Sequence, residues 1–233
     1  MYKRQDYKRI DREGPYAPHY HGPEVDDPVH RNTIARMFRS DLVEFFSRVH
    51  PAIPAILFAP MMLWMAYASV AALPLHLAAV SMAGGLLSWT FSEYVLHRYL
   101  FHLPPKGPVS SFIYFQSHGI HHQYPDDFYR LLMVPPVSAP LAALFWFGFR
   151  AALPATWAPG AFAGFILGYL AYDYIHFAVH HFKPPRAQWA APIATWFKAA
   201  RRRHLVHHFD DHNRGFGVST ALWDHVFGTV AEK

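Results

Sequence analysis

The sequence contains no cysteine and few charged residues. None of its 233 residues is Cys, and Asp, Glu, Lys and Arg together make up only 16%. The absence of cysteine excludes disulfide bonds, iron–sulfur clusters and thiolate metal ligands. Any bound metal ion must therefore use nitrogen or oxygen ligands. An apolar content of 52% with so little charge is typical of membrane proteins.

Four apolar stretches are predicted to cross a membrane, at residues 52–72, 75–96, 133–152 and 159–180. Each comes close to the ~20 residues that a bilayer core requires. Short links containing proline join the first stretch to the second and the third to the fourth, which predicts two helical hairpins. Pro135, Pro136 and Pro140 interrupt the start of the third stretch, so a kinked or re-entrant helix is an alternative there. The first fifty residues are too polar for a signal peptide, and we expect the first span to be retained.

The basic residues predict the orientation of these spans. Nine Lys and Arg residues precede residue 51, three lie in 97–132, eight follow residue 181, and Arg150 alone lies towards the opposite side. This bias places both termini and the segments 97–132 and 181–233 in the cytoplasm.

The predicted fold is all-α, with a polar basic arm at 1–50 and one membrane domain at 51–233, in which four transmembrane helices carry a cytosolic helical cap. The net charge of +5 and the run Arg201–Arg203 are interpreted as a basic face that lies near anionic lipid headgroups. Binding of nucleic acid is disfavoured, because no basic module exists apart from the spans.

Histidine is unusually frequent, with eighteen copies. Ten of them form four clusters at the predicted cytoplasmic ends of spans or in the cap: His97 and His102; His118, His121 and His122; His176 and His180; and His204, His207 and His208. The spacing i, i+3, i+4 stacks three imidazoles on one helical face and occurs twice. The i, i+5 pair is offset by about 140° on an α-helix. Those two rings can share an ion only if the helix end loosens, or else each serves a different ion.

The clusters predict a centre with two metal ions. Neutral imidazole is the commonest protein metal ligand, and ten exceed the coordination number of one ion. Imidazole suits Zn, Cu, Fe or Ni, and the spacing alone does not choose among them. The isolated histidines are interpreted as structural or surface residues; they are His19, His21, His30, His50 and His76.

Several polar residues near the clusters are expected to orient a ligand or to contact a substrate. They are Glu93, Asp127, Asp173, His181 and Asp224. Metal-bound imidazoles usually donate their second N–H to a carboxylate or a carbonyl. Glu93 is expected to pair with Arg98 or with a histidine ligand. The segment 215–217 predicts a turn that returns the C-terminal segment over the metal ions, although a surface turn would have the same sequence.

Five motifs resemble the fatty acid hydroxylase and sterol desaturase superfamily, and most of all the fatty acid 2-hydroxylases. They are EYVLHRYLFH (93–102), HGIHHQYPDD (118–127), RLLMVPP (130–136), GYLAYDYIHFAVHH (168–181) and RRHLVHHFDDHNRGFGVSTALWDHVFGT (202–229). The resemblance covers about residues 85 to 230. It implies four transmembrane helices under a cytosolic cap and two metal ions held by the ten clustered histidines.

The resemblance also implies a reaction. Members of the superfamily use O₂ and two electrons, with iron as the working metal, although zinc can occupy the same positions in purified relatives. The closest subgroup implies hydroxylation of a lipid acyl chain at carbon 2, in a fatty acid or a sphingolipid such as ceramide. Eukaryotic members often carry an N-terminal cytochrome b5 domain. The first fifty residues here do not match one, so we expect a separate electron donor, cytochrome b5-like or a ferredoxin with its reductase.

Two other functions remain open from the sequence. A sister oxygenase that acts on a sterol, a carotenoid or an ornithine lipid would use the same histidine spacing. A divalent-metal transporter would also place histidines in a membrane protein, but its site is expected near the bilayer midplane. The histidine clusters instead crowd at one predicted membrane face, which disfavours transport.

Overall fold

The computed structural model describes residues 9–11, 33–104 and 106–231. Two short strands, β1 (Arg9–Asp11) and β2 (Thr33–Ala35), pair in parallel. The rest of the predicted N-terminal arm up to residue 32, including His19, His21 and His30, lies outside the described residues. All regular structure described after residue 35 is helical. The prediction of a helical fold is therefore confirmed, with this one strand pair in the arm as a departure from it.

The α-helices of the described residues are α1 (Asp41–Phe46), α2 (Ala52–Ala72), α3 (Leu75–Val95), α4 (Pro108–Tyr114), α5 (Ile120–Gln123), α6 (Pro135–Ala152), α7 (Ala158–His181), α8 (Ala191–Phe209) and α9 (Leu222–Phe227). Two π-helices, Leu96–Phe101 and Phe115–Gly119, follow α3 and α4 without a break. A 3₁₀ turn, Gln188–Ala190, leads into α8.

The four long apolar helices α2, α3, α6 and α7 coincide with the four predicted apolar stretches. Pro135 and Pro136 occupy the first turn of α6, where a missing N–H costs no helical hydrogen bond, and the helix runs on past Pro140 to its end. Among the described helices, α2 and α7 are long and apolar enough to cross a membrane by length and composition. The crossing of all four helices remains a prediction.

Helix α7 lies at the centre and packs against α2, α3 and α6. Its contact with α3 is so close that a Cβ atom on Gly85 would lie 1.7 Å from the carbonyl oxygen of Ala161, and one on Gly164 would lie 1.8 Å from that of Met82. Small residues that let helix backbones approach are the usual basis of helix association in membranes. This contact fixes the ends of α3 and α7 relative to each other, and both ends carry histidines.

Candidate metal centre

Five buried histidines from three helices form one group, the five-histidine group. One ring nitrogen from each of the five lies within 4.8 Å of those from the other four. The Nε2 atoms of His176 and His121 are 2.9 Å apart, and those of His180 and His204 are 2.8 Å apart. The members come from α5 (His121), α7 (His176, His180) and α8 (His204, His208).

Four further histidines form a second group beside the first, the four-histidine group: His97, His102, His118 and His207. The Nε2 atoms of His97 and His118 are 3.1 Å apart, and those of His102 and His207 are 3.0 Å apart. The rings of His118 and His121, one from each group, have centroids 5.2 Å apart. Nine of the ten predicted ligands therefore meet in two adjacent groups.

The first π-helix brings His97 and His102 into the same group. Its wider turn is closed by a hydrogen bond from the backbone N–H of His102 to the carbonyl of His97, at 3.2 Å. The two ring centroids are 5.2 Å apart. The helix end thus loosens, which is the first of the two arrangements that the i, i+5 spacing allowed. π-helical turns are rare and occur frequently at functional sites.

The remaining histidines of the motifs lie around these groups. His122 lies between them, with its ring centroid 4.2 Å from that of His208 and 4.6 Å from that of His118. His181 instead packs against Phe128 and Phe177, outside both groups.

One nearby histidine was not identified from the sequence. The Nδ1 atom of His212 lies 2.7 Å from the carbonyl oxygen of His207, and its ring is 4.9 Å from that of His122. The sequence signal that could have identified it is its position, four residues after the HLVHH motif (204–208).

Burial keeps six of the clustered imidazoles of the cap neutral. Loss of hydration, reinforced by neighbouring histidines, holds the pKa values of these six well below their ordinary range: His118, His121, His122, His204, His207 and His208. A neutral imidazole keeps a lone pair for a metal ion, whereas a protonated one does not.

The spacing of the ring nitrogens fits a bound metal. Ligand nitrogens about 2.0–2.1 Å from one ion and at right angles are about 2.9 Å apart. The four Nε2 pairs are separated by 2.8 to 3.1 Å. Several buried ring nitrogens, among them Nδ1 of His121 and both nitrogens of His208, have no hydrogen-bond partner among the described residues. A neutral imidazole has one nitrogen that accepts, so His208 has at least one buried lone pair without a partner, which a metal ion could take up.

Backbone carbonyls set the tautomer of two rings in the four-histidine group. His97 donates from Nδ1 to the carbonyl oxygen of Phe216 at 2.6 Å, and His207 donates from Nδ1 to that of Arg214 at 2.8 Å. A proton fixed on Nδ1 leaves the Nε2 lone pair directed into the group. The segment 214–219, here called the carbonyl loop, therefore orients both rings.

Two buried carboxylates hold the carbonyl loop. Asp224 accepts hydrogen bonds from the backbone N–H groups of Phe216 (3.0 Å) and Gly217 (2.7 Å). Glu93 accepts from those of Val218 (2.7 Å) and Ser219 (2.8 Å), and also from the Ser219 hydroxyl. The predicted turn over the histidines is therefore present.

The prediction that Glu93 pairs with Arg98 or with a histidine ligand was wrong. Its carboxylate instead accepts hydrogen bonds from the backbone of the carbonyl loop. Arg98 does not reach it and donates instead to the hydroxyl oxygen of Tyr94, at 2.6 Å.

Asp127 makes a hydrogen bond and an ion pair outside the two groups. It is fully buried, accepts from the backbone N–H of Tyr129 at 3.1 Å, and lies 3.5 Å from the guanidinium of Arg130. Arg130 in turn pairs with Glu44 of α1 at 2.6 Å. Asp127 therefore helps to tie the segment before α2 to the loop that follows α5.

An apolar cavity of about 580 Å³ adjoins both groups. Its walls come mainly from the segment 112–121, the loop 130–134 and α6, and its inner end reaches His118, His121 and His176. Asp173 lines the same cavity and is 1% exposed. The Tyr169 hydroxyl and the Met133 backbone lie near it, yet neither carboxylate oxygen makes a well-formed hydrogen bond to a described residue. An apolar pocket with polar groups gathered at its inner end fits a long-chain ligand.

A helical bundle that carries two adjoining groups of buried imidazoles defines a candidate dimetal protein with an apolar substrate cavity. The family model for the fatty acid hydroxylase family matches residues 82–229. The chain therefore belongs to the fatty acid hydroxylase family, a family of oxidoreductases.

Similar proteins place the chain within this family. The dihydroceramide fatty acyl 2-hydroxylase FAH1 of Arabidopsis thaliana is 37% identical over 88% of this chain and 84% of its own length. The fatty acid 2-hydroxylase of Mus musculus is 34% identical over 90% of this chain and 60% of its own. A solved structure, full-length scs7p with only the hydroxylase domain visible, superposes with a TM-score of 0.75 at 30% identity, covering 84% of this chain and 72% of that one. The resemblance to the fatty acid 2-hydroxylases is confirmed.

Proposed function

We propose that this protein is a membrane-bound dimetal monooxygenase that hydroxylates a lipid acyl chain at carbon 2. The observation that carries the proposal is the apolar cavity that ends at His118, His121 and His176. A cavity of this kind can hold a hydrocarbon chain with one end beside the metal ions. The names of the relatives, which are 2-hydroxylases of fatty acids, dihydroceramide or ceramide, support carbon 2 as the site of attack.

Ten histidines are proposed to hold two metal ions, expected to be iron in the functioning enzyme. His122 completes the set of ligands from its position between the two groups. When bound, the ions supply the O₂ chemistry and the oxidising power that cleaves an unactivated C–H bond. The overall reaction takes O₂, two electrons and two protons, and yields the hydroxylated chain and one water. The electrons are proposed to come from a donor protein, such as a cytochrome b5-like protein or a ferredoxin with its reductase.

The chain's own residues position the substrate and exclude water from it. Leu131, Leu132 and Pro140 are among the apolar side chains that line the cavity and would surround the acyl chain. Asp173 lies three residues before His176, on the same face of α7. Its buried carboxylate can accept a hydrogen bond from the amide N–H or a hydroxyl group of a ceramide-like lipid. Such a contact would place carbon 2, which is next to the carbonyl, beside the inner histidines.

The open side of the cavity suggests how a lipid enters. Some lining side chains are also exposed on the outer surface, including Leu144 (67%) and Val137 (53%) of α6 and Phe112 (45%) of α4. The mouth of the cavity thus lies between α4 and α6, on an apolar flank. If α6 is immersed in lipid, an acyl chain can pass sideways from the bilayer into the cavity without crossing water.

The proposed topology has α2, α3, α6 and α7 crossing the membrane, with the histidine groups at the cytoplasmic surface. Both helical hairpins and the excess of Lys and Arg on the histidine side support this orientation. The outward face of α2 carries exposed Leu63 and Trp64, which are 63% and 65% exposed. Such side chains are suited to contact with lipid and are unfavourable in water.

Expression in a host that lacks 2-hydroxylated lipids tests the proposal. Acyl chains released by hydrolysis are compared by mass spectrometry with those from a His121→Ala/His207→Ala variant, which breaks both groups. We expect one added oxygen at carbon 2 with the intact chain alone. An oxygen at another carbon, or on a sterol, carotenoid or ornithine lipid, would point to a sister oxygenase. Metal accumulation with no oxygenated lipid would contradict the proposal.

A further inference from the structure

A basic cleft of about 590 Å³ lies where the chain passes from α7 into α8. Its walls are the link after His181 and the first two turns of α8, and they carry Lys183, Arg186 and Lys198. No salt bridge joins any of these three side chains to another residue that the structure describes. All three side chains are also exposed, so they are available to an anion.

The charge around the cleft is of one sign. Residues 182–206 contain six Lys and Arg residues and neither Asp nor Glu. Basic clusters directly beside the cytoplasmic end of a membrane helix attract anionic lipids. Lys183 follows the last residue of α7 by only two positions. The cleft therefore lies next to the headgroup layer if α7 spans the membrane.

An exposed apolar face adjoins the cations and indicates a lipid as the ligand. Trp189, Ile193 and Trp196 are 82%, 53% and 41% exposed. Their spacing of four and three residues places them on one side of the 3₁₀ turn and the start of α8. Tryptophan beside basic residues is typical of segments that lie in the headgroup region, where the ring is half in hydrocarbon and the cations meet phosphate. An acidic protein would satisfy the cations but would leave this apolar face unexplained.

We propose that the cleft of Lys183, Arg186 and Lys198 binds the phosphate group of an anionic phospholipid of the surrounding leaflet. The proposal rests on the placement of α7 across the membrane, and it goes beyond the hydroxylase function. The bound lipid is distinct from the substrate, because the cleft and the apolar cavity share no lining residue. Such a lipid would hold the start of α8 at the membrane surface, and α8 carries three of the clustered histidines.

Lipid retention by the full chain tests the cleft. The purified protein in detergent is mixed with equal amounts of dioleoylphosphatidylglycerol and dioleoylphosphatidylcholine, and the lipids that stay bound are counted by native mass spectrometry. The variant is Lys183→Ala/Arg186→Ala/Lys198→Ala. A matched variant, Arg39→Ala/Lys106→Ala/Arg150→Ala, removes the same charge elsewhere on the surface. Equal thermal transitions for the three proteins verify that each is folded.

We expect the wild-type and matched proteins to prefer phosphatidylglycerol. In the cleft variant, the ratio of bound phosphatidylglycerol to bound phosphatidylcholine should fall by roughly tenfold or more. No preference in the wild type, or an equal loss in both variants, would overturn the proposal, because diffuse charge would then explain any binding. The cleft variant could instead keep its lipid preference and be reduced more slowly at its metal ions by an acidic electron-donor protein. That result would overturn the proposal in favour of a protein docking site. The readout needs neither O₂ nor hydroxylation, so failure of the hydroxylase proposal is seen separately.

Discussion

The Nδ1 atom of His97 lies 2.6 Å from the carbonyl oxygen of Phe216, a residue more than a hundred positions later in the chain. The same loop supplies the carbonyl oxygen of Arg214 to His207. Both contacts belong to the four-histidine group. The orientation of that group therefore depends on the carbonyl loop, and through it on Asp224 and Glu93.

Asp224→Asn is expected to weaken metal binding in the four-histidine group alone. The amide cannot accept hydrogen bonds at both positions now used by the backbone N–H groups of Phe216 and Gly217, so the carbonyl loop shifts. Changes in such supporting contacts typically lower metal affinity by roughly 10- to 100-fold. Competition with a chelator, followed by metal analysis, measures the affinity of each ion. Asp210→Asn, on the exposed end of α8, is the control, and equal weakening of both ions would contradict the assignment.

Each histidine group is expected to hold its own ion. The intact chain should bind about two ions, and His102→Ala or His180→Ala should each reduce this to about one, because each variant breaks a different group. Inductively coupled plasma mass spectrometry on protein loaded with zinc or iron gives the count. The exposed His76, in the first turn of α3, provides the control His76→Ala, which should keep both ions. A single ion in the intact chain would refute the dimetal centre.

Asp173→Asn should reduce hydroxylation without reducing the metal content. The Asp173 carboxylate lines the cavity but belongs to neither histidine group. Loss of a buried hydrogen bond from a charged group is worth about 1.5–3 kcal/mol, or roughly 10- to 100-fold in product formation. Product is measured by mass spectrometry, and Asp41→Asn, whose side chain is 91% exposed, is the control. A parallel loss of metal would instead assign Asp173 to the support of the ligands.

Gly85→Ala should destabilise the fold, whereas Gly84→Ala should not. A Cβ atom on Gly85 would collide with the backbone of Ala161, but one on Gly84 has no atom within 4 Å. Overpacking of this kind costs roughly 1–3 kcal/mol, while alanine at an open helical position is favourable by up to about 1 kcal/mol. The thermal transition of the detergent-solubilised protein separates the two variants. Equal transitions would show that the α3–α7 contact is looser than described.

Much of the fold was predictable because apolar length is a strong signal. The four long helices match the predicted spans to within two residues at each end. The clustering predicted that the imidazoles converge, and nine of the ten fall into two groups. The HxxHH spacing did not predict that each of these two motifs divides its histidines between the groups. No sequence pattern predicted the close contact between helices at Gly85 and Gly164. Glycine is common in loops and helices alike, and only the approach of two helices shows why these positions have no side chain.

Long-range partners could not be read from the chain. The pairing of Glu93 with residues 218 and 219 joins segments 125 positions apart, and only the fold brings them together. The i, i+5 spacing of His97 and His102 left two arrangements open, because an α-helix separates the rings and a π-helix does not. The sequence contains no general signal for a π-turn, so the choice depended on the structure.

The central claim, hydroxylation of a lipid acyl chain at carbon 2 with oxygen from O₂, is tested most directly by isotope labelling. The iron-loaded chain is reconstituted with a ceramide or a long-chain fatty acid, a reductant and ¹⁸O₂, and the product is analysed by mass spectrometry. The account predicts one ¹⁸O atom on carbon 2, which is absent from the product of the His121→Ala/His207→Ala variant. An unlabelled hydroxyl group, a label on another carbon, or no product from a chain that holds both ions would contradict it.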